Sequence, residues 1–168
     1  AMFIANFVPL ALSVNFIPLL SAGGLAERSA VVIGGSWALM MFPGQLVGGT
    51  AFDYVPARLV AAIGFLIMIA GLALLMLPVH PVAVPLAGVL LLGFAMGALS
   101  PLFPYLTSRY FGLASFGRLF GVLSALSASA FATGPQTASY VFDTTHSYRL
   151  FLAGSIPAIL LTILLLDS

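Results

Sequence analysis

From Leu59 to Ser108 the chain runs 50 residues without a charged side chain, and that interval alone fixes the solvent the chain must fold in. No water-soluble domain keeps so long an apolar stretch, whereas one crossing of a hydrocarbon core of about 30 Å uses roughly 17–25 such residues. The interval is therefore two crossings, and Pro78-Val79-His80-Pro81 divides it where two prolines break a helix. The remaining uncharged intervals, 1–26, 29–52, 119–142 and 150–166, are each the length of one crossing. Continuous apolar runs exclude alternating strands, and an open sheet edge has no partners in lipid. The expected fold is all-α, a polytopic membrane protein of six helices at about 3–20, 31–50, 57–77, 82–107, 116–140 and 149–166, forming a single bundle over 1–168.

Composition closes other routes. The charged residues, five arginines and four acids, are 5% of the chain, and mean hydropathy is +1.21. A net charge of +1 supplies no concentrated basic surface for nucleic acid. With no cysteine there is neither a disulfide nor a thiolate nucleophile or metal ligand. An intramembrane enzyme needs a nucleophile beside a base, and the only histidines, His80 and His146, fall in loops away from Gly34-Gly35-Ser36. No enzyme, cofactor or metal is expected.

Six crossings return both termini to the side of the Asp53/Arg58 and Arg109/Arg118 loops. That side carries three arginines, against Arg28 and Arg149 on the other, so the positive-inside rule makes it cytoplasmic. Phe52-Asp53 with Arg58 closes the second helix and opens the third, and Phe142-Asp143 with Arg149 does the same for the fifth and sixth. Copies three crossings apart lie on opposite faces, as an inverted 3+3 repeat requires.

Gly49-x-x-x-Asp53 followed by Arg58 resembles the cytoplasmic loop motif of the major facilitator superfamily, with Tyr54 and Pro56 departing from its usual basic and glycine positions. The string from Arg109-Tyr110-Phe111-Gly112 to Gly117-Arg118-Leu119-Phe120-Gly121 resembles the loop between that family's tenth and eleventh helices, especially in the monocarboxylate and oxalate–formate branch. With Asp143-x-x-His146-Ser147-Tyr148 it aligns the whole chain with the C-terminal six-helix half of such a transporter. The resemblance implies a secondary active transporter of a small solute working by alternating access, in a membrane expected to be the bacterial inner membrane. It implies a cavity lined by the first, second, fourth and fifth helices, with the third and sixth facing lipid. The opening at Ala1-Met2-Phe3, inside an apolar run, reads as a cut, so the expected partner besides the bilayer is a missing N-terminal half or a second copy. A half-size homodimeric transporter, or a structural or channel subunit of a membrane complex, also fits the composition.

Candidate cavity residues follow from polarity and spacing. At 100° per residue Ser129, Thr133, Gln136 and Tyr140 share one face of the fifth helix. Ser36, Trp37 and Gln45 are available on the second helix. On the first, Asn15 is preferred to Asn6, which lies on the opposite side nine residues away. Asp53, Arg58, Tyr105, Arg109 and Arg118 are the candidate cytoplasmic gate or latch. Gly44-x-x-x-Gly48, Gly93-x-x-x-Gly97 and Gly117-x-x-x-Gly121 are expected to be close-packing stripes. No acid or base lies in mid-span, which places any proton-coupling residue elsewhere and favours an uncharged or amphipathic solute over a carboxylate.

Overall fold

The computed structural model describes residues 2–22, 24–77, 82–145 and 148–167. All regular structure among them is helical: α1 (Met2–Ala22), α2 (Glu27–Tyr54), α3 (Ala57–Met76), α4 (Ala83–Leu99), α5 (Leu102–Thr145) and α6 (Arg149–Asp167). The divider expected at Pro78–Pro81 and the candidate loop residue His146 lie outside the described residues.

Each boundary has a local cause. Gly24, with φ of 97°, ends α1 in a Schellman motif, its N–H donating to the Ser21 carbonyl while the Leu25 N–H reaches back to Leu20. Val55 is extended because it precedes Pro56, and Pro56 caps α3. The fourth helix, expected as one piece to residue 107, is interrupted at Ser100-Pro101, where the Ser100 N–H turns to Gly97 at 3.2 Å. It resumes as the first part of α5, giving an apolar span of Ala83–Tyr110. Gly112 then bends the chain with φ of 68° and ψ of 171°, and the fifth span runs Phe116–Thr144.

Four helices among the described residues are long and apolar enough to cross a membrane: Glu27–Tyr54, Ala57–Met76, Ala83–Tyr110 and Phe116–Thr144. The described apolar stretches of α1 and α6, Asn6–Ser21 and Phe151–Ile163, are shorter. The molecule is thus an all-α protein whose helices suit a membrane. On α3 the exposed stripe of Leu59, Ile63, Leu66 and Ala70 recurs at helical spacing and carries nothing polar.

Two helix pairs hold the bundle together, α2 with α4 and α1 with the fifth span. Along the first seam the backbones touch. A methyl built on Gly44 would overlap the Phe94 carbonyl, one on Gly48 the Ala98 carbonyl, and those on Gly93 and Gly97 the carbonyls of Trp37 and Met41. Contacts advance together along both chains, so α2 and α4 run parallel. In the second seam Gly134 lies against the Phe7 carbonyl and Ala11, while Asn6 and Asn15 meet Ser127 and Ser139, again in parallel. The helix α3 runs antiparallel to α4, with Gly64 against Leu99 and Gly71 against Gly88 and Leu92. Phe16, Phe65, Met68, Leu72 and Leu92 fill the interior between these pairs.

Candidate functional site

The end of α2, the Pro56 turn and the start of α3 meet the end of the fourth span around a cavity of about 790 Å³. Asp53, Arg58, Tyr105 and Arg109 all line it, together with Phe52, Tyr54 and Tyr110. Phe52 is buried and stacks on the Tyr105 ring at 5.2 Å with an interplanar angle of 24°, which fixes the neighbouring Asp53 at the rim. Arg109, one turn beyond Tyr105, hydrogen-bonds its phenol oxygen and lies 5.7 Å from its ring centroid. Four of the five gate candidates are therefore one cluster. Arg118 stands apart from them, exposed beyond the Gly112 bend at the start of the fifth span.

A second, half-open cavity of about 270 Å³ lies where α1, the fourth span and the fifth span converge. Asn6, Ser100, Ser124 and Ser127 give it polar groups, and Phe103 and Phe120 are among its apolar walls. The Asn6 amide donates to the Ser127 hydroxyl at 3.4 Å, and Ser127 in turn donates to the Leu123 carbonyl at 3.1 Å. Phe120 is held by stacking on Phe116 at 5.2 Å.

Asn15 does not face either cavity. It is buried, its amide donating to the carbonyls of Ala11 at 2.9 Å and Pro135 at 3.3 Å. Its oxygen accepts from Ser139 at 3.2 Å and from the Tyr148 phenol at 3.3 Å. Phe142 stacks on Tyr148 at 4.6 Å. Burial, and then the charge of Asp143, push the Tyr148 phenol above its ordinary pKa, so it stays a donor to Asn15.

The other candidates divide by exposure. Ser36 is half-buried with its hydroxyl returned to the Ile33 carbonyl at 2.6 Å. Trp37 is half-buried, packs on Phe16 at 6.2 Å, and its buried indole N–H has no acceptor among the described residues. Gln45 is exposed on the flank of α2. Ser129, Thr133, Gln136 and Tyr140 are all exposed and do share a face, as their spacing predicts. That face is opposite the one formed by Ser127, Ala130, Gly134 and Ala138, which meets α1. Ser129 and Thr133 bond back to the helix at 2.8 and 2.7 Å.

Sequence reasoning passed over Asn6, Ser100, Ser124 and Ser127. The signal present was Phe120, Ser124 and Ser127 at i, i+4 and i+7, a mixed aromatic and hydroxyl stripe that a search for the most polar face ranks second. Among the described residues no group of three His, Cys, Asp or Glu side chains is placed to hold a metal ion. Comparison with protein-family models, curated proteins and solved structures finds no match to this chain.

Proposed function

We propose that this chain is one six-helix half of a secondary active transporter that moves a small solute by alternating access, as the resemblance to the major facilitator superfamily implies. The observation that carries the reading is a packing contact that occurs twice. Gly44 of α2 lies against the Phe94 carbonyl and the Ala98 nitrogen, and Gly134 of the fifth span lies against the Phe7 carbonyl and the Ala11 nitrogen. The same helices carry Phe52-Asp53 and Phe142-Asp143, each pair at the same distance along the chain from its glycine. Exchanging helices one to three for four to six maps α2 on α4 onto the fifth span on α1, and the two pairs point in opposite directions. This supports an inverted 3+3 repeat, an architecture of transporters whose site lies between repeats or bundles.

In this reading the exposed polar face of Ser129, Thr133, Gln136 and Tyr140, with Gln45 and Trp37 on α2, lines the solute path against a second six-helix unit. Lipid offers such a face no hydrogen bonds, so water or protein must cover it. The Asp53, Arg58, Tyr105 and Arg109 cluster, with Arg118 nearby in sequence, latches the cytoplasmic side, with both termini on that side of a bacterial inner membrane.

The 168 residues contain no cysteine, so single thiols report cleanly. In native membranes the Gln136→Cys and Thr133→Cys variants are expected to react with a membrane-impermeant thiol reagent, and Ile63→Cys and Leu66→Cys to stay unreactive. Equal protection of all four would remove the aqueous path. Saturable uptake that is accelerated by unlabelled solute on the far side identifies a carrier, and linear uptake a channel.

A further inference from the structure

We infer that the 270 Å³ cavity between α1, the fourth span and the fifth span is a subsite for a small uncharged solute that carries an aromatic or other apolar face and a hydroxyl or amide group. The inference rests on the transporter reading and specifies the substrate class. None of the described residues lining the cavity is ionisable: Asn6 and three serines supply the polarity, and Phe103, Phe120 and other apolar side chains supply the rest. A carboxylate or ammonium group entering it would lose its hydration with no opposite charge to meet, whereas a hydroxyl or amide finds both donors and acceptors.

The polar groups differ in what they have left to give. Ser127 accepts from Asn6 and donates to Leu123, so it is engaged within the protein. Ser100 and Ser124 are exposed and, among the described residues, their side-chain hydroxyls make no hydrogen bond to the protein, which leaves two hydroxyls on the wall for a ligand. Phe103 comes from the fourth span and Phe120 from the fifth, and they give an apolar contact on either side of the junction between them. A volume of 270 Å³ admits a single ring with one substituent and falls just below the usual range for drug-sized ligands. Depth agrees with this role. Ser100 and Ser127 each lie nine residues, about 13 Å of helix, from Arg109 and Arg118 respectively, so the cavity sits below the charged rim.

The test uses the native chain in lipid nanodiscs with Ser124→Cys as reporter and three probes of one shape: benzamide, benzoate and benzylammonium. Benzamide is expected to slow modification of the Ser124→Cys thiol by a small reagent about tenfold more than either charged probe. Adding Ser100→Asp should transfer the preference to benzylammonium, a gain that misfolding does not produce. Equal protection by all three probes, stronger protection by benzoate, or a Ser124→Cys thiol that is unreactive without any probe would overturn the assignment. Labelling of Gln136→Cys separates the two proposals. If it labels while benzamide fails to protect Ser124→Cys, the substrate class alone falls. If Gln136→Cys does not label, the transporter reading falls first.

Discussion

A primary amide has two N–H donors and two acceptor positions on its oxygen, and Asn15 has partners for all four, drawn from its own helix, the fifth span and the residue that precedes α6. A side chain so occupied has nothing to offer a solute. Its role is to tie three segments, and Asn15→Ala is expected to cost about 1–3 kcal/mol of stability, because Ser139, Tyr148 and the Pro135 carbonyl lose a buried partner together. Thermal unfolding in detergent measures this. The Tyr148 phenol adds a pH signature. Its pKa is raised in the folded state, so the folded protein binds the proton more tightly than the unfolded chain does. The resulting stability is complete below about pH 10 and is lost as pH rises through the folded value. Tyr148→Phe should abolish that alkaline loss and leave the stability at pH 7 lower by about 0.6 kcal/mol. Polarity within a span was legible in the sequence at Asn15, but its direction was not. Spacing puts Asn6 and Asn15 on opposite sides of a regular helix, yet in the structure both meet the fifth span, Asn6 at Ser127 and Asn15 at Pro135 and Ser139, and only that packing decides which of them a cavity receives.

Glycine spacing was legible at the scale of the element for two of three stripes. Gly44, Gly48, Gly93 and Gly97 meet backbone, whereas Gly117 and Gly121 have nothing within 4 Å of where a methyl would stand. The motif is the same; the difference is that the face of the fifth span bearing Gly117 and Gly121 meets no neighbour among the described residues. Gly48→Ala or Gly97→Ala should therefore cost at least about 2 kcal/mol, since rigid backbone cannot yield to the added methyl. Gly117→Ala and Gly121→Ala should instead be neutral, or stabilise by up to about 1 kcal/mol through helix propensity. Size-exclusion profiles after heating in detergent distinguish the two classes. Of the two interruptions in the fourth and fifth helices, the bend at Gly112 falls in the gap expected between 107 and 116, whereas the break at Ser100-Pro101 falls inside the helix expected over 82–107, since a proline in an apolar span can be accommodated as a kink as well as a stop.

For the whole molecule, the proposed cytoplasmic latch makes a separable prediction. Asp53→Asn should reduce solute flux several-fold while membrane insertion and thermal stability stay near wild type, because Asp53 is exposed and the burial of Phe52 against Tyr105 is untouched. Flux and detergent unfolding on the same preparation decide the matter, and unchanged flux removes the latch. All-α character and apolar runs that suit a membrane were the most legible features, because the spacing of nine charges sets those runs; of the six crossings expected, four helices among the described residues are long and apolar enough to span. The packing order was not legible, because every span is apolar on more than one side. The Phe-Asp echo was visible, yet the glycine that shares its offset gains meaning only from its contacts with Phe-x-x-x-Ala in α1 and in the fourth span.

That packing order also dictates a sequence of events at the ribosome. The first helix finds its principal partner, the fifth span, only after more than a hundred further residues have been made, and the hydrogen bonds of Asn15 to Pro135, Ser139 and Tyr148 bridge 120, 124 and 133 positions. At synthesis rates of about 5–20 residues per second, α1 waits on the order of ten seconds with a polar amide that lacks its final partners. During that time the insertion machinery or a neighbouring lipid headgroup must shelter α1, and nascent chains stalled before Tyr148 should be the ones that quality-control proteases remove.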